Sequence, residues 1–361
     1  MSENTSVLLF SSNLRRRYAE DILTAIALPR GAVIQFRYGA PYVTAELQQR
    51  VATQSILGTR AVIAFIADFP GAEPSPSPGI LPFIVPVRAA RFVYARSFAD
   101  FFILRLQVDD YPDLSQMTRS EVRERSRVFY DHLVDMNQRY YPAVTRFPNV
   151  DLGDNPDIDD SLRWLSVVER LALHNTFASS YFVRMEQPTL PNGKTADFDA
   201  VGRLSLRDGQ TTKLNVNFLG KEYSEQSKKV LMCATDGRFL RVSSDNSYEV
   251  AHRYDSVEFW LQPNTENFDS LARVTIRLET KGSSTSETDS YLTTSVNIPV
   301  VVKRSRPRLA LRLSLTAGGA ILVALPAILG QHSSLRVRIV AAVLGAFLLA
   351  YATVMVSRGD R

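Results

Sequence analysis

The residues best suited to chemistry are arginines. Arg15, Arg16 and Arg17 follow the apolar run Val7 to Phe10 and the turn Ser11-Ser12-Asn13, at the start of a helical pattern. Guanidinium donors and the free N–H groups of a helix start, aimed at one point, make a phosphate cradle. Three cations at the positive end of a helix repel it, which favours a negative partner. The plainer alternative is three solvated arginines leading into a helix. Arg37 and Arg88 lie inside apolar strand patterns, either as clamps assisting such an anion site or as arginines paired within the core.

A second candidate is the acidic run containing Asp154, Asp157 and Asp159. Clustered carboxylates suit a hard cation such as Ca²⁺ or Mg²⁺, but the glycine and terminal glutamate of the calcium-loop spacing are missing. The competing expectation is that Asp160 or Ser161 caps the next helix and the other carboxylates are solvated. The four histidines, His132, His174, His252 and His332, show no ligand spacing. Cys233 is the one cysteine, inside an apolar strand, which excludes an internal disulfide and a Cys-rich zinc site. No Gly-rich dinucleotide turn, Walker loop, G-x-S-x-G elbow or H-E-x-x-H occurs, so no cofactor is expected and an enzyme is disfavoured without being excluded. Phe36, Tyr38 and Tyr42 beside Arg37 could stack bases. Strand aromatics ordinarily pack a core, however.

Charge bears on the same question. The chain of 361 residues has a net charge of +5, but nine cations and one acid lie from Lys303 onward, leaving −3 for the first 302 residues. A slightly acidic body makes nucleic acid an unlikely partner on this reading.

The elements that must position these side chains fall into a multidomain α+β arrangement. Residues 1–112 alternate apolar runs with helical patterns and read as a small α/β domain. The spacing predicts strands at Val7 to Phe10, Ala32 to Tyr38, Ala61 to Asp68, Ile80 to Tyr94 and Phe101 to Val108, with helices at Arg16 to Leu28 and Thr44 to Thr53. Residues 113–190 read as a helical connector. It has a capping box at Thr118 and Glu121, and a second amphipathic helix from Ser161 to Asn175 with a stripe of Leu162, Leu165, Val168 and Ala172. Residues 195–302 change to period two, with hairpin signals at Asp208-Gly209 and Asp236-Gly237, as in an antiparallel, immunoglobulin-like β-sandwich.

Residues 309–356 predict a two-helix transmembrane hairpin, because Arg312 to Arg336 encloses no charge and neither does Ile339 to Val356. Lys303, Arg304, Arg306 and Arg308 would orient it with both termini and the bulk of the chain in the cytosol, at the inner membrane if the source is bacterial. The resulting expectation is an integral membrane protein: a membrane-anchored cytosolic binding or sensing protein. Its partners would be membrane lipid and either another protein or a second copy meeting through the transmembrane helices. The alternative is a membrane-attached enzyme acting on a phosphorylated or nucleotide substrate through Arg15, Arg16 and Arg17.

Overall fold

The computed structural model describes residues 5–12, 16–67, 83–114, 143–148, 159–177, 181–220, 229–264, 269–280, 295–304, 314–324 and 334–357. Its first sheet is organised by β3 (Arg60–Ala67), where RAVIAFIA offers seven consecutive apolar residues and all seven are buried. A strand apolar on both sides belongs in the middle of a covered sheet. β3 pairs in parallel with β1 (Thr5–Ser12) and antiparallel with β4 (Phe83–Ser97). β5 (Phe101–Val108) and β2 (Val33–Gly39) extend the sheet on one side, and β6 (Val144–Pro148) closes the other, giving the order β2-β5-β4-β3-β1-β6.

The inner face of this sheet meets α1 (Arg16–Ala27), whose Ala19, Ile22, Leu23 and Ile26 recur at helical spacing and are all buried. α2 (Ala45–Ala52) adds Leu47 and Val51. α3 (Asp160–Leu171) also packs inward: of its expected stripe Val168 is buried and Leu165 and Ala172 pack against the core, while Leu162 turns away. Leu162 is 56% exposed, and the buried residues are Trp164, Val167, Val168 and Leu171, with Arg163 and Ser166 beside them. The indole of Trp164 sets the helix rotation, because it is the largest apolar surface available to bury.

The second half of the chain forms two sheets. One runs β12-β10-β14-β15-β8 and the other β11-β13-β9-β7. The first contains β12 (Ser247–Val250), β10 (Lys229–Thr235), β14 (Ser270–Thr280), β15 (Ser295–Lys303) and β8 (Leu204–Arg207). The second contains β11 (Leu240–Val242), β13 (Tyr254–Pro263), β9 (Thr212–Gly220) and β7 (Tyr181–Met185). Leu214, Val216, Phe218 and Phe259 from one sheet join Cys233, Val274, Ile276 and Ile298 from the other in a core continuous with that of the first sheet.

Several expectations are corrected here. Among the described residues the chain is mostly β, with 47% of them in strands and three curled sheets, rather than a multidomain α+β assembly. β15 pairs in parallel with β8, so the second half is not purely antiparallel. β6 belongs to the first sheet and β7 to the four-stranded sheet, so the span expected as a helical connector contributes strands to both. The capping box at Thr118 lies outside the described residues.

The expected transmembrane hairpin is also corrected: among the described residues no helix is long and apolar enough to cross a membrane. Residues 314–324 are helical and form α4. α5 (Leu335–Ser357) opens on Arg336 and Arg338, and its uncharged stretch Ile339 to Val356 rises ~27 Å against a hydrocarbon core of ~30 Å. The integral-membrane assignment and the membrane localisation lose their support with it. Lys303 ends β15 opposite Arg207, and the Arg304 N–H donates to Asp269 Oδ1 at 3.0 Å. Arg306 and Arg308 lie outside the described residues. The two helices do meet closely: a Cβ added to Gly345 would lie 2.8 Å from the Gly319 carbonyl oxygen and from Val323.

Candidate functional site

The outer face of the first sheet is divided in two. Over β1, β3 and the first half of β4, the side chains Leu8, Phe10, Val62, Ala64, Ile66, Ile84 and Ala89 form a small buried cluster. Over β2, β5 and the second half of β4 the same face carries arginines, aromatics and glutamines. Alternation and register put them in rows: Val33, Gln107 and Arg91; then Gln35, Arg105 and Tyr94; then Arg37, Ile103 and Arg96. A bulge between Phe92 and Tyr94 keeps Arg91, Tyr94 and Arg96 on this side.

Phe98 and Phe101 complete the surface at the hairpin end. Their rings stack at 4.7 Å and 14°. Arg37 lies over Phe101 at 3.9 Å, Arg96 over Phe98 at 5.4 Å and Arg105 over Tyr94 at 4.9 Å. Each such contact contributes ~0.5–1 kcal/mol where exposed and fixes the guanidinium plane. Arg105 Nε also donates to Gln35 Oε1 at 2.9 Å. Among the described residues no carboxylate forms an ion pair with Arg37, Arg96 or Arg105.

At the other end the face runs into a cleft of about 380 Å³ lined by Arg30, Gly58, Arg60, Ala89, Arg91, Asp109, Asp110 and Tyr111. Arg30 pairs with Asp110 at 3.0 Å and Arg91 with Asp109 at 2.9 Å, both pairs in contact with solvent. Exposed pairs of this kind contribute at most ~1 kcal/mol, so an incoming anion can take over their guanidinium donors at little loss.

Beneath the sheet lies a buried polar junction. Arg88 is 1% exposed, its guanidinium lies over the Tyr111 ring at 3.7 Å, and among the described residues no acceptor reaches its Nε or Nη1. The Tyr111 hydroxyl donates to the Ile26 carbonyl at 2.6 Å, and burial pushes its pKa up. Arg184 stands 5.9 Å from the same ring, donating to Asp160 Oδ2 at 2.8 Å and Ser161 Oγ at 2.7 Å. Glu186 accepts from Asn215 and Asn217 at 2.9 Å each. Burial raises its pKa, but these two donors and Arg184 outweigh that and hold the carboxyl below its ordinary range. The junction ties α1, α3, β4, β7 and β9 together.

The sequence-flagged arginines do not converge. Arg15 and the Arg16 side chain lie outside the described residues, and Arg17 is exposed at the start of α1. Arg37 sits on the outer face of β2, four strand steps from β1, a distance of ~19 Å. Arg88 points to the inner face. Asp154 and Asp157 lie outside the described residues, and Asp159 caps α3, accepting from the Ser161 N–H at 3.2 Å. Among the described residues no group of three or more His, Cys, Asp or Glu could hold a metal ion. Phe36 and Tyr38 face inward and are buried, whereas Tyr42 is exposed.

Arg91, Arg96, Arg105, Tyr94, Phe98 and Phe101 were not singled out in the sequence. Period two places Phe101, Ile103, Arg105 and Gln107 on one face of β5, but only the pairing of β5 with both neighbours brings the arginines of three strands together.

No protein-family model and no curated protein matches this sequence. Among solved structures, the crystal structure of the E. coli chaperone DraB aligns at 10% identity and a TM-score of 0.20, over 31% of this chain and 58% of that one. A likeness that slight carries no argument about fold or function.

Proposed function

We propose that the chain is a binding protein that recognises an anionic partner on the exposed half of its first sheet. The observation that carries this reading is the set Arg37, Arg96 and Arg105: three guanidinium groups held on aromatic rings, with no carboxylate among the described residues neutralising them. Cations preoriented in this way lose little freedom on binding, and their N–H edges suit sulfate, phosphate or carboxylate oxygens. Arg91, at the lip of the cleft, extends the same surface by one row.

The test is binding of the full-length protein to heparin, a generic polyanion, by calorimetry across a salt series. Substituting Arg37, Arg96 and Arg105 together by alanine is expected to weaken binding at least ~10-fold and to flatten the dependence on salt, since fewer counterions are displaced. A triple variant that binds like the parent, with the same salt slope, would place the anion elsewhere and overturn the reading.

A further inference from the structure

We infer that the anionic partner is a single-stranded nucleic acid, lying across β2, β5 and β4 with its bases on the aromatic and guanidinium planes; this rests on the polyanion reading above. The cations of this face are all arginines, and Arg37, Arg96 and Arg105 each present a flat guanidinium against a ring rather than a free point charge. Planar cations and aromatic rings stack unpaired bases, which an acidic peptide does not supply. Gln35 stands beside Arg105 and Gln107 one row beyond; Gln35 Oε1 accepts from Arg105 and Gln107 Nε2 donates to the Gly31 carbonyl, which leaves the Gln35 amide N–H groups and Gln107 Oε1 for base edges. Phe98, 37% exposed at the hairpin end, is the ring most open to a base.

Shape selects the single strand over a duplex. Duplex sequence is read by an element that enters a groove. These rows instead form a sheet surface three strands wide, ~10 Å across, and ~20 Å from Arg91 to Phe98. A splayed single strand fits such a platform, while a duplex would touch it only through phosphates. The carboxylates at its margins are Asp109, already paired with Arg91, and Asp100 in the hairpin turn. Both lie at the ends of the rows, so a backbone running between them meets no carboxylate among the described residues of these rows.

The experiment is fluorescence anisotropy of a labelled oligouridylate with the full-length protein, with a duplex of equal length and polyglutamate as competitors. Oligouridylate is expected to bind at least ~10-fold more tightly than either competitor. Phe98→Ala, which changes no charge, is expected to weaken it about 5-fold or more through lost stacking. Arg96→Gln, a second surface substitution, reads the phosphate contribution if Phe98→Ala disturbs the hairpin. Equal binding of polyglutamate or duplex, insensitivity to both substitutions, or no binding of the oligouridylate overturns the inference. Heparin binding that survives such a failure would leave the broader polyanion reading intact.

Discussion

Asp21 is a carboxyl whose surroundings oppose its ionisation. Partial burial on α1 raises its pKa to about 6; Arg17 offsets part of this and Glu20 adds to it. Because the folded carboxyl holds its proton more tightly than the unfolded one, the native state binds more protons between about pH 4 and 6. Stability therefore falls as pH rises through that window. Asp21→Asn removes the ionisation, so the variant should melt higher than the parent at pH 7 and match it near pH 4; equal melting temperatures at both would contradict the assigned burial. The arginines show how far single residues were legible. Arg37 and Arg88 look alike in the sequence, each an arginine within an apolar strand. One is stacked on the surface and the other buried over Tyr111, because strand parity relative to the sheet's covered face decides exposure and the bulges that shift parity are set by neighbouring strands.

At the scale of elements, period and composition located most strands and both N-terminal helices to within a few residues. β5 alternates cleanly, and α1 carries its apolar face where 3.6-residue spacing puts it. On α3 the expected stripe packs inward at Leu165, Val168 and Ala172 but not at Leu162, because burying the Trp164 indole turns the first turn of the helix. The contacts that join elements distant in sequence were not legible at all. Gly202, in the turn before β8, has φ of +80°, and a Cβ there would fall on the Val33 side chain at the start of β2. Gly202→Ala is therefore expected to lose ~2–4 kcal/mol of unfolding free energy, from backbone strain and overpacking together. Gly237→Ala, at φ +75° with open space around it, isolates the backbone contribution at ~1 kcal/mol. Chemical denaturation of both variants checks this, and equal losses would mean that the turn does not press on β2.

For the whole molecule, net charge averages over surfaces. The first 302 residues sum to −3, yet arginines from three strands gather on one half of one sheet face. The sum contains no information about that placement. The C-terminal stretches were read from their freedom from charge and their length in sequence, yet among the described residues no helix is long and apolar enough to cross a membrane. Amide hydrogen exchange with and without a saturating heparin oligosaccharide tests the placement of the working surface most directly. Slower exchange is expected in residues 33–39, 91–97 and 101–108, with β1 and β3 unchanged. Protection confined to the second-half sheets, or spread evenly over the chain, would contradict it.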